Sequence, residues 1–339
     1  MSYHVYVTVS GDGRIARFSM DRKTGALARL KDVPLPGRPG PVALHPDRRF
    51  LHVARREAHL ITSFRIDGSS GDITEVGTVP TVQDPCHMST DRNGCFLLAA
   101  YYLSKKVTVH RIGNDGAAID PPVVFRETAI GAHCFQTDPS NRFAFVPHIA
   151  REDAPNAIFQ FLFDSKTGQI TPNDPPRVPQ PDWTGPRHYC FHPSKDIVYF
   201  SNEQGCSVSA YALDTKKGTL APLQTLSTLP ERWSGRSKCS EIRATPDGRF
   251  LYVPNRGHDS IAEYAIDKAS GLLRFLGCAA AETVPRAFEI DPGGKFLVSA
   301  GHDTGRLAVY RIGDAGRLER IATHEVGAVP MWVTIIPKE

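Results

Sequence analysis

Thr245-Pro-Asp-Gly-Arg-Phe-Leu-Tyr-Val253 and Asp291-Pro-Gly-Gly-Lys-Phe-Leu-Val298 are copies of one phrase, and His45-Pro-Asp-Arg-Arg-Phe-Leu-His-Val53 is a third. Looser copies are Thr90-Asp-Arg-Asn-Gly-Cys-Phe-Leu-Leu98, Asp138-Pro-Ser-Asn-Arg-Phe-Ala-Phe-Val146 and His192-Pro-Ser-Lys-Asp-Ile-Val-Tyr-Phe200. With the proline position of each phrase as a ruler, the marks fall at Pro46, Arg92, Pro139, Pro193, Pro246, Pro292 and Pro337, spaced 45 to 54 residues apart. That period suits four-stranded propeller blades and is too long for leucine-rich or ankyrin repeats. Each unit reads as an apolar strand, a Pro/Asp/Gly turn, a second strand and a third such as Ser260–Ile266. An Asp-x-x-x-Gly turn follows, as in Asp164–Gly168, Asp214–Gly218 and Asp267–Gly271, where glycine supplies a positive φ.

The seventh unit is split between the termini. Pro330–Pro337 reads as a first strand with nothing after it, while Tyr3–Val9 and Gly13–Ser19 read as second and third strands with nothing before them. Joining them closes a ring and leaves no free sheet edge. The expectation is an all-β, seven-bladed propeller, one domain over residues 1–339, with Val333–Ile336 paired to Val5–Val9.

Composition narrows the function. Net charge is +4 from 40 basic and 36 acidic residues, with no long basic run, so a nucleic-acid partner is not expected. No apolar stretch approaches membrane-spanning length and the N-terminus begins at once with a strand pattern, so neither membrane partner nor leader is expected. Seven cysteines without a Cys-x-x-Cys pair point to reduced, buried thiols and a cytoplasmic protein, a monomer or weak homo-oligomer. The Pro-rich Thr171–Pro181 reads as an extended connection between blades.

In a blade, the start of the first strand and the end of the second emerge on one face. Counting from the ruler collects Gly40/Pro41, Cys86/His87, His133/Cys134, Arg187/His188, Ser240/Glu241, Arg286/Ala287 and Met331/Trp332 from the first strands. The second strands add Arg55/Arg56, Tyr101/Tyr102, His148/Ile149, Asn202/Glu203, Asn255/Arg256 and Gly301/His302. Strand-end turns in a purely structural propeller would carry Gly, Ser, Asn or Asp; these rings are rich in Arg, His and Glu. Several guanidinium groups around one carboxylate make a site for an anion, and a Glu or His beside them can move protons. The candidates for binding are Arg56, His87, Tyr102, His148, His188, Glu241, Arg286 and His302. No dinucleotide, Walker, nucleophile-elbow or His-Glu-x-x-His motif is present, and His133, Glu203 and His302 lack tight metal-ligand spacing, so no cofactor or metal is expected. His45 and His192 read as turn residues, and His4, His52 and His110 as core or face residues.

Gly185-Pro-Arg-His-Tyr-Cys-Phe-His-Pro193, Tyr199-Phe-Ser-Asn-Glu203, Ser227-Thr-Leu-Pro230 and Pro246-Asp-Gly-Arg-Phe-Leu-Tyr-Val-Pro-Asn-Arg-Gly-His-Asp-Ser-Ile261 resemble the seven-bladed lactonase family. That family includes the propeller type of 6-phosphogluconolactonase and the fungal enzyme interconverting 3-carboxy-cis,cis-muconate and its lactone. The resemblance spans the chain. It implies hydrolysis of a small anionic or polyhydroxylated lactone, with carboxy-muconate-type lactone formation as the alternative and a non-catalytic binding scaffold as a second. It also implies a catalytic set of His133, Arg187, Glu203 and Arg256, and the Asn-Arg-Gly-His phrase adds His258 as a binding candidate. His133-Cys-Phe135 and Pro147–Asn156 depart from the phosphogluconolactonase pattern, so the third-blade wall is expected to differ.

Overall fold

The computed structural model describes residues 2–339. Among them there is no helix; seven antiparallel sheets stand around one axis. The first blade is Pro39–Leu44, Phe50–Arg55, Leu60–Ile66 and Ile73–Pro80, ordered from the axis outward, and the next five repeat this order. Their innermost strands begin at Pro85, Gln136, Pro186, Lys238 and Pro285. The seventh blade is composite: Pro330–Pro337 lies innermost, then Ser2–Val9 and Arg14–Asp21. The register Val5↔Ile335, Val7↔Val333 matches the expected closure.

The repeated phrase is a hairpin with its own internal bonds. Asp138 Oδ1 accepts the backbone N–H groups of Arg142 and Phe143, and Asp291 Oδ1 those of Lys295 and Phe296. In the fifth blade Thr245 Oγ1 takes this role for Arg249 and Phe250. His45 and His192 hold the same turn slot; His45 bonds Asp47 and the Gly94 carbonyl, as a structural residue should.

Phrase and turn turn out to be two halves of one contact between blades. The ring of Phe143 in the third blade lies where a Cβ on Gly218 of the fourth would sit, only 2.0 Å away. The same relation joins Phe50 to Gly116, Phe96 to Gly168, Ile197 to Gly271, Phe250 to Gly316 and Phe296 to Gly25. At the closure His4 takes the aromatic place against Gly71. Tyrosines reinforce the joints: Tyr199 donates to the Gly271 carbonyl at 2.6 Å, and Tyr252 to that of Gly316 at 2.9 Å. The apolar core therefore lies between blades, as where Tyr199 and Val208 pack on Val253 and Tyr264.

Two expectations need correction. Ile170–Pro179 is the outer strand of the third blade, not a connection. An outermost strand has one unpaired edge, so its prolines remove no needed donor. Of the seven cysteines, all free, only Cys134 and Cys239 are fully buried and Cys95 is exposed.

Gly218 combines a φ of 72° with the Phe143 contact, so an added methyl meets both backbone strain and a ring. Gly218→Ala should destabilise the protein by about 1–3 kcal/mol, the range for overpacking. Chemical denaturation checks this, and an unchanged midpoint contradicts it.

Candidate active site

Each inner strand is irregular where it starts. Between Pro85↔Tyr101 and His87↔Ala100 one residue, Cys86, is extra; Arg187, Arg286 and Met331 are extra in the fourth, sixth and seventh blades. A bulge residue leaves the ladder and its side chain is re-aimed. These residues, with Pro41, border a narrow gap at the axis alongside Arg56, His188 and Trp332.

Above the gap opens a cavity of about 360 Å³, lined by Arg56, Tyr102, His133, Glu203, Arg256 and Arg286, with His59, Gln83, Asp84, Cys86 and Leu103 at one side. Glu203 directly follows the second strand of the fourth blade, Ile197–Asn202, and is buried. Its Oε2 takes Arg187 Nε at 2.8 Å and Arg256 Nη2 at 2.9 Å. Its Oε1 has only Lys238 Nζ, at 3.9 Å. Burial raises the carboxyl pKa, but Arg187 and Arg256 outweigh it and hold it below the ordinary 4.5. Glu203 is thus ionised with one oxygen open.

Four guanidinium groups face two carboxylates here. Asp84 sits 3.7 Å from Arg56 and 3.1 Å from His59. Arg286 has no hydrogen bond or ion pair among the described residues, and burial, Arg187, Arg256 and Arg56 push its pKa down to about 9. His133 Nδ1 is buried without a partner, and burial with Arg187 and Arg286 keeps the ring neutral. Beneath it the His133, His188 and His87 rings pack edge-on at 5.1 Å steps, and Trp332 completes a floor.

A guanidinium-rich funnel on a seven-bladed ring invites comparison with known proteins. Residues 4–335 match the family described as lactonase, 7-bladed beta-propeller. The chain belongs to that family. It is 34% identical over 315 residues to the 6-phosphogluconolactonase of Serratia proteamaculans, covering 93% of each chain. The 6-phosphogluconolactonase of Pectobacterium carotovorum is likewise 34% identical over 314 residues, 92% of each. Among solved structures, the periplasmic gluconolactonase PpgL of Pseudomonas aeruginosa superposes with a TM-score of 0.91 at 25% identity, covering 100% of both chains.

In this lactonase-family chain the four residues His133, Arg187, Glu203 and Arg256 do come together, with Arg56, Tyr102 and Arg286 on the same cavity. His188 lies one layer down. His87 faces a second cavity at the far end of the channel, and Glu241 pairs with Arg243 there. His148, His258 and His302 do not line the funnel. His148 is bonded to Val146 O and Thr128 and packs on Phe159; His258 is bonded to Ser260 and His302 to Asp303. Each imidazole is turned aside by a neighbour on its own blade or turn. His302's absence also separates the trio considered for a metal. His59, Gln83, Asp84 and Leu103 were missed because they sit on hairpin tips and a blade connection, beyond a count from strand ends. The Asp84-Pro85 step opening the second blade was the available signal.

The far cavity, about 320 Å³, is bordered by Arg243, Glu289, Gln136 and Trp332. Burial lifts Glu241 to about 7, opposed by Arg243 at 2.7 Å and aided by Glu289. A carboxyl raised on folding adds stability that is complete below its unfolded value near 4.5 and lost as pH rises through 7. The stability of the wild type relative to Glu241→Gln should therefore decline from about pH 5 to 8 by at most about 1.4 kcal/mol per unit. Denaturation curves of the two proteins across that range check this; a difference that does not change with pH would contradict the assignment.

Proposed function

We propose that the protein hydrolyses a sugar-acid lactone that carries a negative charge, the phosphorylated aldonolactone for which its relatives are named being the leading substrate. The observation that carries this is Arg286, an unpaired, half-buried guanidinium facing an open cavity lined by three guanidinium groups and two carboxylates, with Arg187 as a fourth guanidinium beneath Glu203. An anion there relieves the repulsion among Arg56, Arg187, Arg256 and Arg286 that lowers the Arg286 pKa.

Ring opening needs a water deprotonated as it attacks the lactone carbonyl, and a donor for the departing ring oxygen. Glu203 Oε1 supplies the acceptor. Arg187 and Arg256 hold the carboxylate by its other oxygen and so orient it. The proton taken from water returns from Glu203 to the ring oxygen as the C–O bond breaks, giving the open acid. A depressed pKa makes that return easy. Arg286 and Arg256 offer donors to the oxyanion that forms on the carbonyl, and neutral His133 offers a hydrogen-bonding nitrogen to substrate hydroxyls. Arg187 is 2% exposed and acts as a positioning residue beneath Glu203. Lactone formation would use the same side chains in reverse; the names of the relatives favour opening.

Proton release against a panel of aldonolactones tests the proposal. Glu203→Gln should lower kcat by ~10²–10⁴ with folding intact, the usual loss for a positioned acid/base. Arg187→Lys should lower kcat more than it raises KM, because a point charge cannot hold Oε2 as the planar fork does. Near-normal turnover by Glu203→Gln would overturn the assignment.

A further inference from the structure

At four of the joints between blades, four residues link the outer strand to the next inner strand: 35–38, 81–84, 281–284 and 326–329. Between the fourth and fifth blades the link is ten residues long, 228–237. These links lie on the funnel face. The extra length forms a strap beside the cavity in which every residue from Pro230 to Arg236 is exposed.

The strap is tied down at both ends and free between them. Thr228 bonds Asn255 and the Cys206 carbonyl. At the other end Ser237 Oγ donates to the Arg256 carbonyl, and the Cys239 carbonyl accepts Arg256 Nη2 at 2.7 Å. A Cβ on Gly257 would stand 2.4 Å from the Arg236 carbonyl, so the strap presses on the turn that carries Arg256. Within it, one backbone bond from Trp233 to Pro230 is the only internal tie among the described residues. Trp233, 39% exposed, rests edge-on against His258 at 4.5 Å.

The strap is net cationic, with Arg232 and Arg236 against one carboxylate, Glu231. Arg232 and Arg236 have no hydrogen-bond or ion-pair partner for their guanidinium groups among the described residues, and Lys238 follows at once with only the distant Glu203 oxygen. Exposed arginines commonly point into solvent. Two in the longest of these links, anchored to a cavity residue and tipped with a tryptophan, are placed to meet what protrudes from the cavity.

We infer that the strap Leu229–Ser237 reads the substrate end remote from the lactone carbonyl, with Arg232 and Arg236 as specificity-determining residues that bind its phosphate and Trp233 covering the bound ring. The inference rests on the lactonase reading. It also explains how a third-blade wall that departs from the phosphogluconolactonase pattern is compatible with a phosphorylated substrate: recognition comes from the joint between the fourth and fifth blades.

The test compares 6-phosphogluconolactone with gluconolactone on the wild type and on Arg232→Ala/Arg236→Ala. The ratio of kcat/KM for the two lactones should fall about tenfold or more in the double variant, through KM, as expected for losing a charge-assisted hydrogen bond. In parallel, 6-phosphogluconate should protect the wild type from tryptic cleavage after Arg232 and Arg236, and gluconate should not. An unchanged ratio or equal cleavage with both acids overturns the inference while leaving the lactonase reading in place; wild-type activity confined to gluconolactone overturns the inference together with the anionic substrate class. Hydrolysis of neither lactone by the wild type sinks both.

Discussion

An aromatic ring set against a glycine with no side chain is the contact on which the rest of this protein depends. Phe143 on Gly218, Phe250 on Gly316 and their counterparts occur once per joint around the ring, with Ile197 serving at one joint and His4 at the closure. The contact fixes how closely one blade stacks on the next. A tyrosine hydroxyl on the same turn, as from Tyr199 or Tyr252, adds direction to the packing. Because the blades meet through apolar faces, opening any joint exposes core on both sides, and the pairing of Ser2–Val9 with Pro330–Pro337 completes the seventh blade on which the last two joints depend.

Closure has a consequence for the axis. Seven inner strands converge there and cannot all continue a regular ladder, and each is interrupted where it enters the funnel. The interruptions put Cys86, Arg187, Arg286 and Met331 around the axis. Charge follows from that placement. One buried carboxylate, Glu203, neutralises only part of the guanidinium cluster, and the uncompensated remainder is what the proposed anionic substrate would neutralise. The far end of the channel is built differently, with Arg243 held between Glu241 and Glu289 and already compensated. The histidine and tryptophan floor keeps the two electrostatic environments apart.

The ring was legible in the sequence because both halves of the joint repeat at one period. Closure was legible because the terminal strands were each half a blade. Ile170–Pro179 was not, since its prolines suit an outer edge as well as a loop. Within the site, strand-end counting found Glu203, Arg256, Arg286, His133 and Tyr102, whose backbone positions suffice to place them. It could not separate them from His148 or His302, and the family phrase could not exclude His258; the three rings are turned by local bonds to Val146, Asp303 and Ser260. Nor could it see the bulges: strand periodicity is two, and one extra residue changes which side chain reaches the axis.

Calorimetric titration of 6-phosphogluconate into the wild type and into Arg286→Leu tests the central claim, that excess guanidinium charge in the funnel binds the acid. The wild type should bind the anion, more weakly as salt rises, and Arg286→Leu should lose most of that affinity while keeping its fold. Equal affinity in the two proteins, or wild-type binding indifferent to salt, would contradict the account.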